Sequence, residues 1–323
     1  MARMRPERLS RRALLRAGAL GAGAFLAGTA TGCARAHSAT RLTLATGGSG
    51  GVYYALGSAL SDVWQAELGL AQRPVVLTSA GSPENLSLLT SGRADVIFSA
   101  ADVVAGAVGP PERAPRALAR VYDDALQIVV PATSTITAVT GLRDRRVSLG
   151  ATDSGVLVMA RRVLDAAGLV PGRDLQALQF GIDASVAALR EGRIDAFFWS
   201  GGLPTGSVAA LAAAQPIRLV DLLPQMPALR RAYPVYDVGT VPTGTYGIPA
   251  PVTTLLVRNF LLVAASMPDD LTGALVAALF ARREALVKAS SAGRAIDARS
   301  AIGTQPVPLH PGAQRYYRDA KDG

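Results

Sequence analysis

The stretch Thr46-Gly-Gly-Ser-Gly-Gly-Val-Tyr-Tyr54 sets one serine hydroxyl among four glycines, directly ahead of two tyrosines. Two chemistries fit such residues at such spacing. Read as Gly47-x-Ser49-x-Gly51, it spells the elbow on which α/β-hydrolases mount a nucleophilic serine, which then needs a histidine base and an oxyanion site. Read as a glycine turn opening a helix, it offers bare backbone amides to a carboxylate or phosphate. The first amides of a helix lack internal acceptors and lie at the positive end of its dipole. The hydrolase reading is the weaker, because an elbow normally follows several strands and an oxyanion loop, whereas only a few residues of the expected mature chain precede this one. The remote histidine, His310, stands in a proline-flanked segment, Pro308-Leu-His-Pro311, and is assigned to packing or capping. A dinucleotide fingerprint fails because Tyr53 stands in place of the last glycine, and a P-loop fails for want of Gly-Lys-Ser/Thr. A turn that merely joins strand to helix is the plain alternative.

The elements that would position this turn follow from apolar spacing. Leu42 and Leu44 alternate as a short strand, and Val52, Leu56, Ala59, Leu60 and Val63 recur as a helix face. Pro74–Leu77 reads as a second strand, followed by a polar turn with Ser79, and Ser82 is the expected N-cap of a helix with Pro83 at its first position. Asn85 lies within reach of a ligand. That helix stops at Gly92, Ala94–Ser99 is a third strand, and Asp102 begins the next helix as either a helix-start charge or an amine partner. Three strand-helix units in succession predict a parallel sheet with ligand groups at the strands' carboxyl ends.

Leu126–Pro131 is read as a first crossing into a second lobe that repeats the plan. Val147–Leu149 is a strand, Gly150–Gly155 a turn, Val156–Ala167 an amphipathic helix stopped by Gly168, and Leu178–Phe180 the next strand. Leu189-Arg-Glu-Gly-Arg-Ile-Asp-Ala-Phe-Phe198 echoes Leu89-Thr-Ser-Gly-Arg-Ala-Asp-Val-Ile-Phe98, a pattern explained by a helix end, a left-handed turn and a re-entering strand. Tyr233–Pro251 reads as irregular, Val252–Ala264 as the return crossing, and Pro268–Lys288 as one helix. The expected architecture is therefore α/β and type II periplasmic-binding-protein-like, with two α/β lobes joined by two hinge crossings around a ligand cleft. Lobe one takes 41–126 with 256–323, and lobe two 127–255. Residues 47–51 and 152–155 would face each other and clamp a small anionic solute. Expected ligand contacts are Thr46, Gly47, Ser49, Gly50 and Tyr53 from the first turn and its helix. Ser79, Ser82, Asn85 and Asp102 follow from the next two, and Ser154, Gly155, Trp199 and Gly201 from lobe two. Trp199 would wall the cleft. No catalytic residue, metal or cofactor is expected.

Half of the 323 residues are hydrophobic, enough for one large or two moderate cores. Six Arg and one Glu fall within residues 1–32, so the +9 net charge reduces to 27 basic against 23 acidic residues, or +4, in the remainder. No basic stripe interleaved with aromatics points to nucleic acid. Ser10-Arg11-Arg12-Ala-Leu-Leu-Arg16 with the Ala/Gly run to Thr31 resembles a twin-arginine export signal, about fifteen residues of apolar chain against the ~20 that a span needs. Ala30-Thr-Gly-Cys33 looks like a lipobox, so 1–32 is read as a lipoprotein signal peptide, Cys33 as lipidated and 33–40 as a tether. Cleavage after Ala34-Arg-Ala36, giving a soluble product, is the rival. Cys33 is the single cysteine, so no disulfide forms within the chain.

These residues together resemble the TAXI family of extracytoplasmic solute receptors that serve TRAP transporters. The likeness runs from 42 to 318 and rests on Thr46–Tyr54, Gly81-Ser-Pro-Glu-Asn85, Ser91-Gly-Arg-Ala-Asp95, Glu191–Phe197, Gly202-Leu-Pro204 and His310-Pro-Gly-Ala-Gln-Arg-Tyr-Tyr317. It implies a receptor without catalysis, a ligand such as glutamate, a related amino acid or 2-oxoglutarate, and sodium-driven TRAP permease subunits as membrane partners. A monomer is expected, and the ligand-sensing input of a signalling partner is the alternative to transport. One departure stands out: Asp153-Ser-Gly-Val156 replaces the family's usual Gly-Ser-Gly-Thr turn. A carboxylate at ~4 Å from an anion costs about 4 kcal/mol at an effective dielectric of ~20. Asp153 is therefore expected either to turn into solvent or to meet a cationic amine of the ligand.

Overall fold

The computed structural model describes residues 37–107 and 110–322; the expected signal peptide (1–32), Cys33 and the Ala34–Ala36 cleavage site lie outside them. In the first half, β1 (Thr43–Ala45) leads through the glycine turn into α1 (Val52–Leu68). Leu56, Leu60, Val63 and Trp64 form the buried stripe of α1, and Gly69 ends it in the left-handed conformation, φ 63°. Next come β2 (Val75–Leu77), α2 (Ser82–Thr90), β3 (Val96–Ala100) and a single turn, α3 (Ala101–Val104). β1 pairs in parallel with both β2 and β3, as the succession of strand-helix units requires.

The chain then enters β4 (Pro115–Pro131), a 17-residue strand that begins well before the predicted crossing at Leu126. The second half follows with β5 (Arg146–Ser148), α4 (Gly155–Ala166), β6 (Gln176–Leu178), α5 (Ile182–Arg190) and β7 (Ala196–Gly201). After these come α6 (Gly206–Ala214), β8 (Ile217–Leu219), α7 (Met226–Ala232) and β9 (Tyr236–Val241). The long β10 (Val252–Ala264) spans the residues expected for the return crossing. The sheet runs β2-β1-β3-β10-β4-β7-β5-β6, with β8 beside β4 and β9 beside β10. Each half is thus a three-stranded parallel sheet, and the antiparallel pair β4–β10 forms the seam between them. α8 (Asp269–Ala281), α9 (Arg283–Ala289), α10 (Ala298–Ala301) and α11 (Pro311–Asp322) return to the first half. There Leu275 and Leu279 join Trp64, Phe98 and Leu261 in one core.

Two expectations are corrected. Residues 236–241 are not irregular: they pair with β10 from Tyr236 opposite Val257 to Val241 opposite Val252, a partner that local composition does not reveal. The predicted helix over 268–288 breaks at Arg282, whose φ of −120° and ψ of 32° are non-helical, and Pro268 caps α8 rather than starting it.

The internal echo has a common physical role. Gly92 (φ 75°) and Gly192 (φ 66°) make the left-handed turns after α2 and α5. Arg93 N and Arg193 N close these turns onto Leu88 O and Ala188 O, both at 2.9 Å. Three residues past each glycine, Asp95 accepts from Thr43 N and Asp195 from Arg146 N, each at 2.8 Å. Each aspartate therefore ties the first strand of its half to the third.

Candidate functional site: a cleft ringed by helix starts

The turns expected to face each other do so. A cavity of about 140 Å³ lies between the halves. The residues preceding four helices line it: Gly51 before α1, Gly81 before α2, Ser154 before α4 and Gly181 before α5. Two of these helices come from each half. A Cβ on Gly81 would stand 3.8 Å from Gly155 N, so the α2 and α4 starts approach across the gap. Gly81 has φ 120°, a conformation that glycine alone tolerates well. At the mouth, a Cβ on Gly50 would meet Asp183 Oδ1 and Ser207 Oγ at 3.3 Å, so the glycine turn of one half rests against the other. Four helix dipole ends converge on a small volume, and this arrangement favours an anionic group.

The walls are apolar: Val52, Val156, Met159, Phe180, Ile182 and Trp199. Among the described lining residues there is no Arg, Lys or His. Trp199 is held by Nε1–H donation to Thr205 Oγ1 at 3.0 Å. It lies so close over Gly201 that a Cβ there would be 2.7 Å from Nε1. The floor joins Tyr122 and Asp124 of the seam strand β4 with Tyr53 of α1 and Ser200 of β7. Tyr53 stacks on Phe98 at 5.0 Å, stands 3.2 Å from Ser82 Oγ and donates to Asn259 Oδ1. Asp124 is 7% exposed, and its Oδ1 has no hydrogen-bond partner among the described residues; the same holds for Ser200 Oγ. Burial pushes the Asp124 carboxyl up to about 7, with Tyr122, Asn259 and Ser200 around it offsetting part of that cost and Asp123 adding to it.

Of the predicted contacts, Gly47, Tyr53, Ser79, Ser82, Ser154, Gly155, Trp199 and Gly201 line the cavity. Five do not. Thr46 is buried beneath it, donating to Leu77 O at 2.7 Å. Ser49 is exposed at the turn's tip, and Gly50 packs on the opposite half instead of facing the cavity. Asn85 is fully buried, its Nδ2 donating to Thr46 O and Phe98 O, so it braces β1 against β3. Asp102 is sealed, its Oδ2 accepting from Arg162 Nη1 at 2.8 Å and from Tyr236 O–H at 2.7 Å. Burial raises its carboxyl above the usual range against the lowering effect of these two partners. The pair joins α3 of the first half to α4 of the second and is no ligand contact. Ser82 is not the N-cap, which is Gly81; its Oγ accepts from Ala100 N at 2.9 Å and so reaches across to the end of β3. Asp153 is exposed, outside the cavity lining. His310 is buried in the first half, its Nδ1 accepting from Gly312 N at 3.2 Å and lying 3.0 Å from Thr272 Oγ1. It is therefore committed away from Ser49.

Residues that sequence reasoning passed over are Tyr122 and Asp124 on β4, Ser200 on β7, and the Phe180-Gly-Ile182 start of α5. The available signal was the polar run Tyr122-Asp-Asp124 just ahead of the segment Leu126–Pro131.

A protein-family model described as the NMT1-like family matches residues 44–320. Among solved structures, XAC2383 from Xanthomonas citri bound to ATP is 15% identical, with 88% of this chain and 96% of that one covered at a TM-score of 0.51. A structure described as a periplasmic transporter is 16% identical over 88% and 93%, also at 0.51. The periplasmic aliphatic sulphonate binding protein SsuA from Escherichia coli is 15% identical over 88% and 91%, at 0.46. At such identities the likeness at 0.51 speaks for the fold, the mixed α/β architecture of periplasmic binding proteins.

Proposed function

The chain belongs to the NMT1-like family, and from that premise together with the chemistry of the cleft we propose that it is an extracytoplasmic solute receptor. It captures a small carboxylate-bearing solute between its halves, 41–126 with 256–323 on one side and 127–255 on the other. The observation that carries this reading is the convergence of four helix starts, two from each half, on one cavity whose described lining holds no basic side chain. A carboxylate placed there would be held by amides that water satisfies while the halves stand apart. Closure replaces that water with the second pair of helix starts, so the ligand favours the closed arrangement by the contacts that only this arrangement provides. The narrower reading is a TAXI-type receptor that hands its solute to TRAP permease subunits without catalysis. It is exported through the twin-arginine signal and tethered by a lipid on Cys33. Glutamate, a related amino acid and 2-oxoglutarate are the first candidates.

A thermal-melting screen over these acids, other dicarboxylates and aromatic acids tests the reading. A cognate ligand at a hundred times its dissociation constant adds about 2.7 kcal/mol. No stabilisation by any carboxylic acid across the panel would count decisively against it.

A further inference from the structure

The cavity presents two kinds of charge to one small ligand. The helix starts supply partial positive charge at the mouth and sides. The seam supplies a carboxyl, Asp124, whose Oδ1 lacks a partner among the described residues, beside the equally unpartnered hydroxyl of Ser200 on β7. No described lining residue is basic, and Tyr122, Asn259 and Ser200 offset only part of the cost of burying this carboxyl. A buried polar atom without a partner is costly, and native proteins retain few. Retention at the floor of a ligand cleft indicates that the ligand completes the hydrogen bonding. An ammonium group satisfies the ionised oxygen directly, whereas an anionic ligand brings like charge to it unless the carboxyl keeps its proton.

Resting on the receptor reading above, we propose that Asp124 and Ser200 form an ammonium subsite, so that the cleft selects a solute bearing a protonated amine as well as its carboxylate. The carboxylate lies against the helix starts, the amine donates to Asp124 Oδ1, and the remaining body meets Trp199, Phe180 and Met159. A second carboxylate on the ligand would find no cationic side chain in the lining. An amino acid with an apolar side chain is therefore favoured over 2-oxoglutarate and other dicarboxylates.

Matched pairs that differ only in the amine test this by calorimetry on the full mature chain: leucine against 4-methylpentanoate, phenylalanine against 3-phenylpropanoate, glutamate against glutarate. Wild type should bind the amino member of at least one pair about tenfold tighter, roughly 1.4 kcal/mol, and Asp124→Asn should shrink that gap to about twofold. Equal or tighter binding of the des-amino acids by wild type overturns the subsite while leaving carboxylate capture standing. A tenfold gap that survives in Asp124→Asn overturns the assignment to Asp124. Should the variant not fold, the wild-type pairs alone decide whether the amine matters. If no acid of either kind binds, the receptor reading falls and this inference falls with it.

Discussion

Asp124 makes the pH dependence of the empty protein a quantitative test. Its carboxyl is shifted by burial from 3.8 to about 7 on folding. The folded state therefore holds the proton more tightly than the unfolded chain. The corresponding stability is fully present below about pH 4 and is lost as pH rises through about pH 7. At about 1.4 kcal/mol per pH unit, the interval is worth about 4 kcal/mol. Asp123, Tyr53 and Tyr122 face the same region. Burial keeps both tyrosine hydroxyls well above their ordinary values, so neither titrates in this window. Replacing Asp124 by Asn removes the titration but keeps the shape. The assay is urea denaturation followed by circular dichroism, for wild type and variant, at steps from about pH 4 to about pH 8. The variant should gain on wild type by about 4 kcal/mol across that range, the pH dependence of all other groups cancelling in the difference. Two curves that stay parallel to within about 1 kcal/mol would refute the claim that the neighbours of this carboxyl compensate its burial only in part.

Other outcomes are expected from the same geometry. Arg162→Ala strands Asp102 without its cation and should cost about 3–5 kcal/mol in denaturation; combining it with Asp102→Asn should recover most of that. Gly201→Ala puts a Cβ 2.7 Å from Trp199 Nε1 and should destabilise by about 1–3 kcal/mol through overpacking, with weaker ligand binding in the same preparation. Of the two tryptophans, Trp64 is sealed in the first-half core with Nε1 on Leu275 O, while Trp199 lines the cleft. Ligand-induced fluorescence change should therefore vanish in Trp199→Phe and persist in Trp64→Phe. Ser49 should resist fluorophosphonate; labelling of wild type that Ser49→Ala abolishes would reinstate the hydrolase.

The frame of this molecule was readable because local chemistry and global fold agree there. Glycine-punctuated strand-helix units gave the two parallel sheets, and the apolar run Val252–Ala264 is one continuous strand. The repeated Leu-x-x-Gly-Arg-x-Asp pattern marked equivalent corners whose aspartates turned out to fasten strands. What was lost depends on long-range placement. Thr46 and Asn85 have ligand-like side chains, yet burial at a strand end commits them to backbone carbonyls. Asp102 found its cation 60 residues away on α4. Asp124, just ahead of the predicted crossing at Leu126, drew no reading, because alternation along a strand does not tell which face a cavity will take. β9 was hidden because its partner strand lies beyond a turn that breaks apolar patterning.

The seam between the halves carries a mechanical consequence. β4 and β10 run as an antiparallel ladder, but their register slips between Asn259 and Phe260 and again between Leu261 and Leu262. An unbroken ladder is stiff against flexure, whereas a slipped one bends and twists locally. The first slip sits at the residue that accepts the Tyr53 hydroxyl, directly under the pocket floor. The compliant joint of the molecule is therefore expected beneath the solute itself, so that whatever loads the floor also loads the axle on which the jaws turn.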